Sequence, residues 1–405
     1  MVHAAGDAGW VAWTNGVDAA VAGKLDSTVA SSTYGTIKEA PISPYHYGAV
    51  WDGVTDDTAA IVATLAALPA YTGGAGRGEV RMPRGIGKVT SAITVPSGAI
   101  LRGEGRHASV LQGNFAGPIL KTVTDATANP LTTYVDLSDL YIINQSTNAL
   151  ARAVDFQQVS AIKHENCHFQ TAGGVAYYLT AGYVVDFDSC TFSGVGAERG
   201  LDLDGAKASN VIRVRACSFT DSKAGIRAVN GTSLTITNGC HFETLAGGAS
   251  QAGVITIDAW RGGEITGNYF ESCSTAALVI YNAVGATQGF DVGGNYMTNL
   301  ASPFIDASNL QYSTIRSNIM LAGAISPTAN GLVVTGGTAT HLIAHDQAYT
   351  GGGAGSTFGP VGTSAHNIDM KYARTISGSK ASGAALASLL TQLAYAGYII
   401  DTTVA

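Results

Sequence analysis

Glu243 and Glu271 close two near-identical tripeptides, His241-Phe242-Glu243 and Tyr269-Phe270-Glu271. On neighbouring parallel strands the two would stand about 5 Å apart at the backbone. Two carboxylates that close do not ionise together easily, so one of them is expected to hold its proton above the ordinary range. A protonated carboxyl beside an ionised one can cleave a glycosidic bond, and retaining enzymes keep such a pair about 5–5.5 Å apart. His241, Tyr269 and Tyr296 are then the expected proton-transfer or sugar-contact groups. The plain alternative is that both acids splay into water or meet a basic partner that the pattern does not reveal.

A second candidate set comprises Asp155, Tyr178, Asp202, Asp204, Asp258 and Tyr281, followed by Trp260 and Arg261. An exposed Trp260 beside acids suits sugar binding, because an indole face covers the apolar face of a pyranose. Asp202 and Asp258 are expected two repeats apart, roughly 10 Å, near the separation an inverting pair requires. Asp202-x-Asp204 could instead hold calcium, and the plain alternative is a set of solvated acids. A third set, Lys163, Asp186 and Arg213 with Glu165, Asp188 and Arg215, changes sign from repeat to repeat. That alternation suits a structural salt-bridge ladder.

All these groupings depend on a repeat. Cys167-His168-Phe169, Cys190-Thr191-Phe192, Cys217-Ser218-Phe219 and Cys240-His241-Phe242 continue as Asn268-Tyr269-Phe270, Asn295-Tyr296-Met297 and Asn318-Ile319-Met320. Leu140-Tyr141-Ile142 is a degenerate first copy. Each large apolar residue follows the previous one by 27, 23, 27, 23, 28, 27 and 23 residues. Alternating segments such as Leu201-Asp202-Leu203-Asp204 and Ile255-Thr256-Ile257-Asp258 recur between them, each a short strand with one buried face. Strands so spaced do not pair as hairpins. They pair in parallel if each repeat is one coil stacked on the last. The chain is therefore expected to be all-β, a right-handed single-stranded parallel β-helix. Its cysteines form a buried column continued by asparagines, with Cys273 a free buried thiol.

The segment Tyr47-Gly-Ala-Val-Trp-Asp-Gly-Val-Thr-Asp-Asp-Thr-Ala-Ala-Ile61 resembles the opening of the pectate-lyase-like β-helix superfamily, a signature shared with phage tailspikes and glycan depolymerases. The likeness runs on through Gly78–Gly85 and Ile93–Gly105. A capping helix is expected here, started by Thr55 or Asp56, with Ile61, Val62, Leu65 and Leu68 on one face and stopped by Pro69. It would cover the open first coil. Asp52, Asp56 and Asp57 read as turn and capping groups rather than a metal cluster. Val17, Val21, Leu25 and Val29, within Asn15–Thr36, resemble the helical neck of a trimeric phage tail protein. Leu386, Leu389, Leu390 and Leu393 mark a C-terminal helix. The expected organisation is a neck or attachment segment over 1–44 and a β-helix over 45–325. A Gly/Ser/Thr-rich β region over 326–380 and a helix and tail over 381–405 complete it.

The bulk properties set limits. The 405 residues are 46% hydrophobic and 13% charged, enough for a large core. The 51 glycines are close to twice the average share of about 7%, as tight corners require. A net charge of −7 without a basic run argues against nucleic acid. No signal peptide and no bilayer-length apolar stretch is visible. Five cysteines without a CxxC pair argue against a disulfide framework or zinc site. No Gly-x-Gly-x-x-Gly after a strand, P-loop or His-Glu-x-x-His occurs, nor the Gly-His-Gly and Asn-Thr-Asp triplets of polygalacturonases.

The resemblance implies a homotrimeric tailspike-like virion protein, made in a host cytoplasm and joined to other tail proteins through its N-terminus. It would bind a bacterial surface polysaccharide and cleave it by hydrolysis. Glu243 and Glu271 are the first candidate catalytic pair, with Asp202, Asp204 and Asp258 the second. Trp260, Tyr269, Tyr296, His241, Tyr281 and Arg261 are the candidate substrate contacts. No cofactor or metal is expected. Two rivals stand beside this reading. One is a polysaccharide lyase with a tyrosine, histidine or lysine base and calcium as its cofactor. The other is a non-catalytic receptor-binding or structural fibre.

Overall fold

The computed structural model describes residues 41–358 apart from 73–75, 124–131, 248–252, 282, 302, 322, 326–331, 335–341, 346–347 and 351–355. The neck helix expected within Asn15–Thr36 and the C-terminal helix expected over 381–405 lie outside the described residues. The described chain is a right-handed parallel β-helix. One strand per coil enters a single 12-stranded sheet. Its middle strands are Tyr141–Asn144, His168–Thr171, Thr191–Ser193, Ser218–Thr220, His241–Glu243, Tyr269–Glu271, Tyr296–Thr298 and Ile319–Leu321. These are the eight copies of the repeat, and every pairing is parallel.

The register follows the sequence columns. Ile142 pairs with Phe169, which pairs with Phe192, and the line continues through Phe219, Phe242 and Phe270 to Met297 and Met320. The aromatic members are fully buried. Phe192, Phe219, Phe242 and Phe270 stack at 4.7 Å with planes within 7° of parallel. Each buried ring contributes on the order of 2–3 kcal/mol of transfer free energy, and each stack about 0.5–1.5 kcal/mol more.

A sharp corner precedes each of these strands. Asp139, Asn166, Ser189, Ala216, Gly239, Gly267, Gly294 and Ser317 occupy it with φ of +50° to +76°. That left-handed conformation is open to glycine and tolerated by Asn and Asp. The next residue turns inward. Leu140 fills the first inward place, Cys167, Cys190, Cys217 and Cys240 fill the next four as free buried thiols, and Cys273 lies apart from them, also free and buried. Asn268, Asn295 and Asn318 continue the column. Asn268 Nδ2 donates to Asn295 Oδ1 at 3.1 Å and Asn295 Nδ2 to Asn318 Oδ1 at 2.9 Å. The same amides donate to the carbonyls of Ile236 and Ile265 at 2.8 Å, so a buried polar ladder has its hydrogen bonds satisfied.

In four coils the rest is one long strand bent in the middle, Arg152–Glu165, Val175–Asp188, Ala224–Thr237 and Gly253–Thr266, and in others it is split into shorter strands such as Arg199–Leu203 and Ser209–Arg215. Left-handed residues make the bend, for example Gln158 and Ala161, or Asn230 and Ser233. Parallel strands continue past residue 325 as Leu332–Val334, Ile343–His345, Ala348–Thr350 and Ser356–Phe358. The coil repeat thus runs into the Gly/Ser/Thr-rich region.

At the N-terminal end, helix α1 (Thr58–Ala66) packs against the turn Pro44–Tyr47 and the strand Ile93–Thr94. Ile61 and Leu65 are buried, whereas Val62, expected on the same face, is exposed. Asp56 accepts from the Thr58 amide at 3.0 Å. Asp57 instead accepts from the amides of Val50 and Trp51 at 2.7 and 3.1 Å, and Asp52 from Val54 and Thr55 at 2.8 and 2.7 Å. Each of the three acids therefore holds a turn or a helix start.

Candidate functional site

The outer face of the 12-stranded sheet carries two columns of side chains, one on each side of the buried phenylalanines. His241, Tyr269 and Tyr296 are consecutive in the first, and Glu243 and Glu271 are directly paired in the second. The strand spacing that separates the two carboxylate residues is about 4.8 Å. His241 and Glu243 side chains are 38% and 40% exposed, enough to meet a ligand. His241 Nε2 lies 3.6 Å from Glu243, an ion pair whenever the imidazole is protonated. The Tyr269 hydroxyl donates to Glu271 at 2.6 Å. That hydrogen bond to a carboxylate pushes the Tyr269 phenol up to about 12, so it keeps its proton at neutral pH. The Tyr269 and Tyr296 rings stack at 5.5 Å and 4°, and His241 leans on Tyr269 at 5.1 Å. The result is a partly exposed aromatic strip beside two acids, with one acid already hydrogen-bonded by a neutral phenol.

The second candidate set is dispersed. Asp155, Tyr178, Asp202, Arg227 and Thr256 share one register position. Asp258 pairs with Val229 and Tyr281, two residues further on, so Asp202 and Asp258 do not form the expected inverting pair. Asp202 is 3% exposed at its side chain and lies between Arg199 at 3.2 Å and Arg227 at 2.7 Å. Asp204 meets Arg227 at 3.4 Å and accepts from the Tyr178 hydroxyl. The oxygens expected to act on sugar or calcium are thus occupied by cations of the chain itself. Asp258 is buried and accepts from the amides of Ala283, Val284 and Gly285 at 3.0–3.3 Å, anchoring the loop after Tyr281.

Trp260 is 0% exposed, against the expectation of an exposed sugar platform. Ala259, at φ +53°, turns the strand and breaks the in-out alternation, so the indole enters the core. It fills the space over Gly231, where an added Cβ would lie 2.6 Å from the ring. Tyr281 and Arg261 are exposed, on strands outside the 12-stranded sheet that carries Glu243 and Glu271. The flanking charges pair across coils, Arg213 with Asp186 at 3.0 Å and Arg215 with Asp188 at 3.4 Å.

Periodicity does not single out Arg152, Arg199 and Arg227. Arg152 bonds Asp155 and lies 3.7 Å above the Tyr178 ring, so the three arginines complete the network around Asp202. The signal that finds Arg227 is its register opposite Asp202, and that requires the loop lengths between strands. Among the described residues no three His, Cys, Asp or Glu side chains converge as metal ligands. No described helix is long and apolar enough to cross a membrane.

Residues 43–250, just over half of the chain, match a family model described as rhamnogalacturonase A/epimerase, pectate lyase-like. Similar solved structures share the fold at low identity. ORF18 of Geobacillus virus E2 has a TM-score of 0.62 and 17% identity, covering 78% of this chain. This chain spans 63% of that protein's length. The surface adhesin PfbA of Streptococcus pneumoniae has a TM-score of 0.55 and 15% identity, covering 80% of this chain and 93% of its own. DFA-IIIase of Arthrobacter chlorophenolicus A6, without its lid and in complex with GF2, has a TM-score of 0.65 and 10% identity, covering 85% of this chain and 97% of its own. No curated protein matches the chain.

Proposed function

Because the chain belongs to the rhamnogalacturonase A/epimerase, pectate lyase-like family, we propose that it is a tailspike-type protein that binds and hydrolyses a bacterial surface polysaccharide. The observation that carries this reading is the direct pairing of Glu243 with Glu271 on an exposed face lined by His241, Tyr269 and Tyr296. Carboxylates one strand spacing apart fit the geometry of a retaining glycosidase. Glu271, hydrogen-bonded by Tyr269, attacks the anomeric carbon as nucleophile. Glu243 gives its proton to the departing glycosidic oxygen, then takes one from the water that releases the glycosyl-enzyme. The tyrosine rings supply flat apolar faces for the flanking sugars.

An elimination reaction needs a base at the same place. Tyr269, with its phenol held up to about 12, is poorly suited to that role at neutral pH. The fold likeness to a phage protein and to a bacterial surface adhesin supports a role at a cell surface. The protein acts in the virion tail as a homotrimer, held to the other tail proteins through residues 1–44. A closed threefold assembly presents three equal sites to a repetitive glycan, so that binding gains from avidity. Light scattering of the full chain should give three times 41.3 kDa; a monomer mass rules the trimer out.

The catalytic assignment is tested with the full chain and the capsule or lipopolysaccharide of a susceptible cell. Glu271→Gln and Glu243→Gln are each expected to slow release of oligosaccharide by roughly 10²–10⁴-fold while still binding the polymer. The wild-type product is expected to keep its anomeric configuration. Wild-type rates in Glu271→Gln, or an inverted product, would falsify the assignment.

A further inference from the structure

Three strands before His241, roughly 14 Å along the same outer face, stands a second cluster without a place in the catalytic reading. Tyr141 and His168 are paired on adjacent strands and their rings stack at 4.4 Å and 7°. His107, from the turn before the strand Ser109–Gly113, meets both edge-on at 5.6 and 5.5 Å. His168 Nε2 is fixed by Ser193 Oγ at 2.7 Å. The Tyr141 hydroxyl donates to Gln170 Oε1, which leaves the Gln170 amide nitrogen as a donor. Beside them, the Arg106 Nη1 donates to the Ser189 carbonyl at 3.2 Å and Thr191 Oγ1 at 3.1 Å, its bonds among the described residues.

The charge balance of this cluster differs from that of its surroundings. Arg152, Arg199, Arg213, Arg215, Arg227 and Arg316 each meet an aspartate. Among the described residues no carboxylate pairs with Arg106 or His107. The positive field is felt at His168, which burial first, then His107 and Arg106, push down to about 4. A patch with the Nε and Nη2 edge of a guanidinium, an exposed imidazole and an amide donor, and with no carboxylate in ion-pair contact among the described residues, suits an anion. It is present although the chain as a whole carries −7, so long-range attraction does not account for it.

We propose that Arg106, His107 and Gln170 form a subsite for an anionic substituent of the glycan, a carboxylate, phosphate or sulfate, over a floor of Tyr141 and His168. This rests on the reading that the outer face of the 12-stranded sheet binds the polysaccharide. The subsite selects acidic polymers and sets the direction in which they lie toward Glu243 and Glu271.

Equilibrium binding tests it without cleavage. The full chain is titrated by calorimetry at low salt with polygalacturonate, poly(glycerol phosphate), dextran sulfate and neutral dextran. At least one acidic polymer is expected to bind tenfold or more tightly than dextran, and the best of the three identifies the anion. Arg106→Gln with His107→Gln should weaken that binding at least tenfold. Arg106→Lys, which keeps the charge but not the fork, should lose less than Arg106→Gln. Acidic polymers binding no better than dextran, full affinity in the double variant, or equal losses in the Lys and Gln variants would each overturn the subsite. Because only affinity is read, the outcome is independent of whether Glu243 and Glu271 cleave any bond.

Discussion

Asp202 shows how a carboxylate with catalytic credentials becomes structural. Its side chain is nearly closed off from water, and Arg199 and Arg227 approach it from two sides at 3.2 and 2.7 Å. Arg227 also holds Asp204, Asp204 takes the Tyr178 hydroxyl, and Arg152 covers the Tyr178 ring. The phenol of Tyr178 is pushed far up by burial and by Asp204, so it remains a donor within the network. Removing one member of a buried ionic group leaves its partners charged and desolvated. Asp202→Ala is therefore expected to destabilise the fold by about 3 kcal/mol, the low end of the range because Arg227 is a third exposed. Denaturant melts measure that loss. Glycan cleavage per folded molecule should stay at the wild-type level, and a loss of turnover in well-folded Asp202→Ala would return this face to the active site. Among the described residues no arginine pairs with Glu243 or Glu271, and Tyr269 is a neutral partner of Glu271.

At the level of the strand and the coil, legibility depended on whether a feature repeats. The Phe/Met column was readable because strand, corner and inward residue recur together, and each copy pairs with the next in register. The Glu243–Glu271 adjacency came from the same column and needed no loop lengths. Asp258 was harder to place, because coils of 23 and 28 residues differ in the segments between strands. The pairing of Leu203 with Ala228 and of Ala228 with Ile257 aligns Asp258 with Asp204, not Asp202. Trp260 departs from the alternating pattern for a different reason. Period-2 alternation holds only while the backbone stays extended, and the left-handed Ala259 interrupts it just before the indole. The room that receives the ring comes from Gly231 on the neighbouring coil, a residue far away in sequence. The His107–Tyr141–His168 cluster was half visible. Tyr141 and His168 lie on the repeat, whereas Arg106 and His107 reach them from a non-repeating turn.

Across the molecule, a stack of coils is held by contacts between neighbours, so a weakness in one coil is shared with those on either side. The coil containing His164 and His168 is the expected weak point in acid. His164 lies wholly inside the helix, with Nε2 2.6 Å from the Tyr177 hydroxyl and Nδ1 without a partner. Burial pushes it down to about 3, and His168 stands at about 4. Both titrate near 6.5 in an unfolded chain. Below that pH the unfolded state binds more protons than the folded one, so stability falls with pH. The two histidines contribute fully above about pH 6.5, and their contribution is lost on descent through 4 and 3. At 1.36 kcal/mol per unit, the His164 shift amounts to at most about 5 kcal/mol. Asp52 and Asp56, both held low by hydrogen bonds from neighbouring hydroxyls and amides, act in the same direction only at lower pH. Guanidinium melts of the full chain at pH 7, 5 and 4 should therefore show a steep decline that begins above the carboxylate range. The double variant His164→Leu, Tyr177→Phe replaces the buried polar pair by apolar groups and should flatten that decline between pH 6.5 and 4. An undiminished slope in the double variant would assign the acid sensitivity to other groups, whereas a flattened one locates it in the His164–Tyr177 pair, buried among the tilted and edge-on rings of Phe156, Phe169 and Phe187.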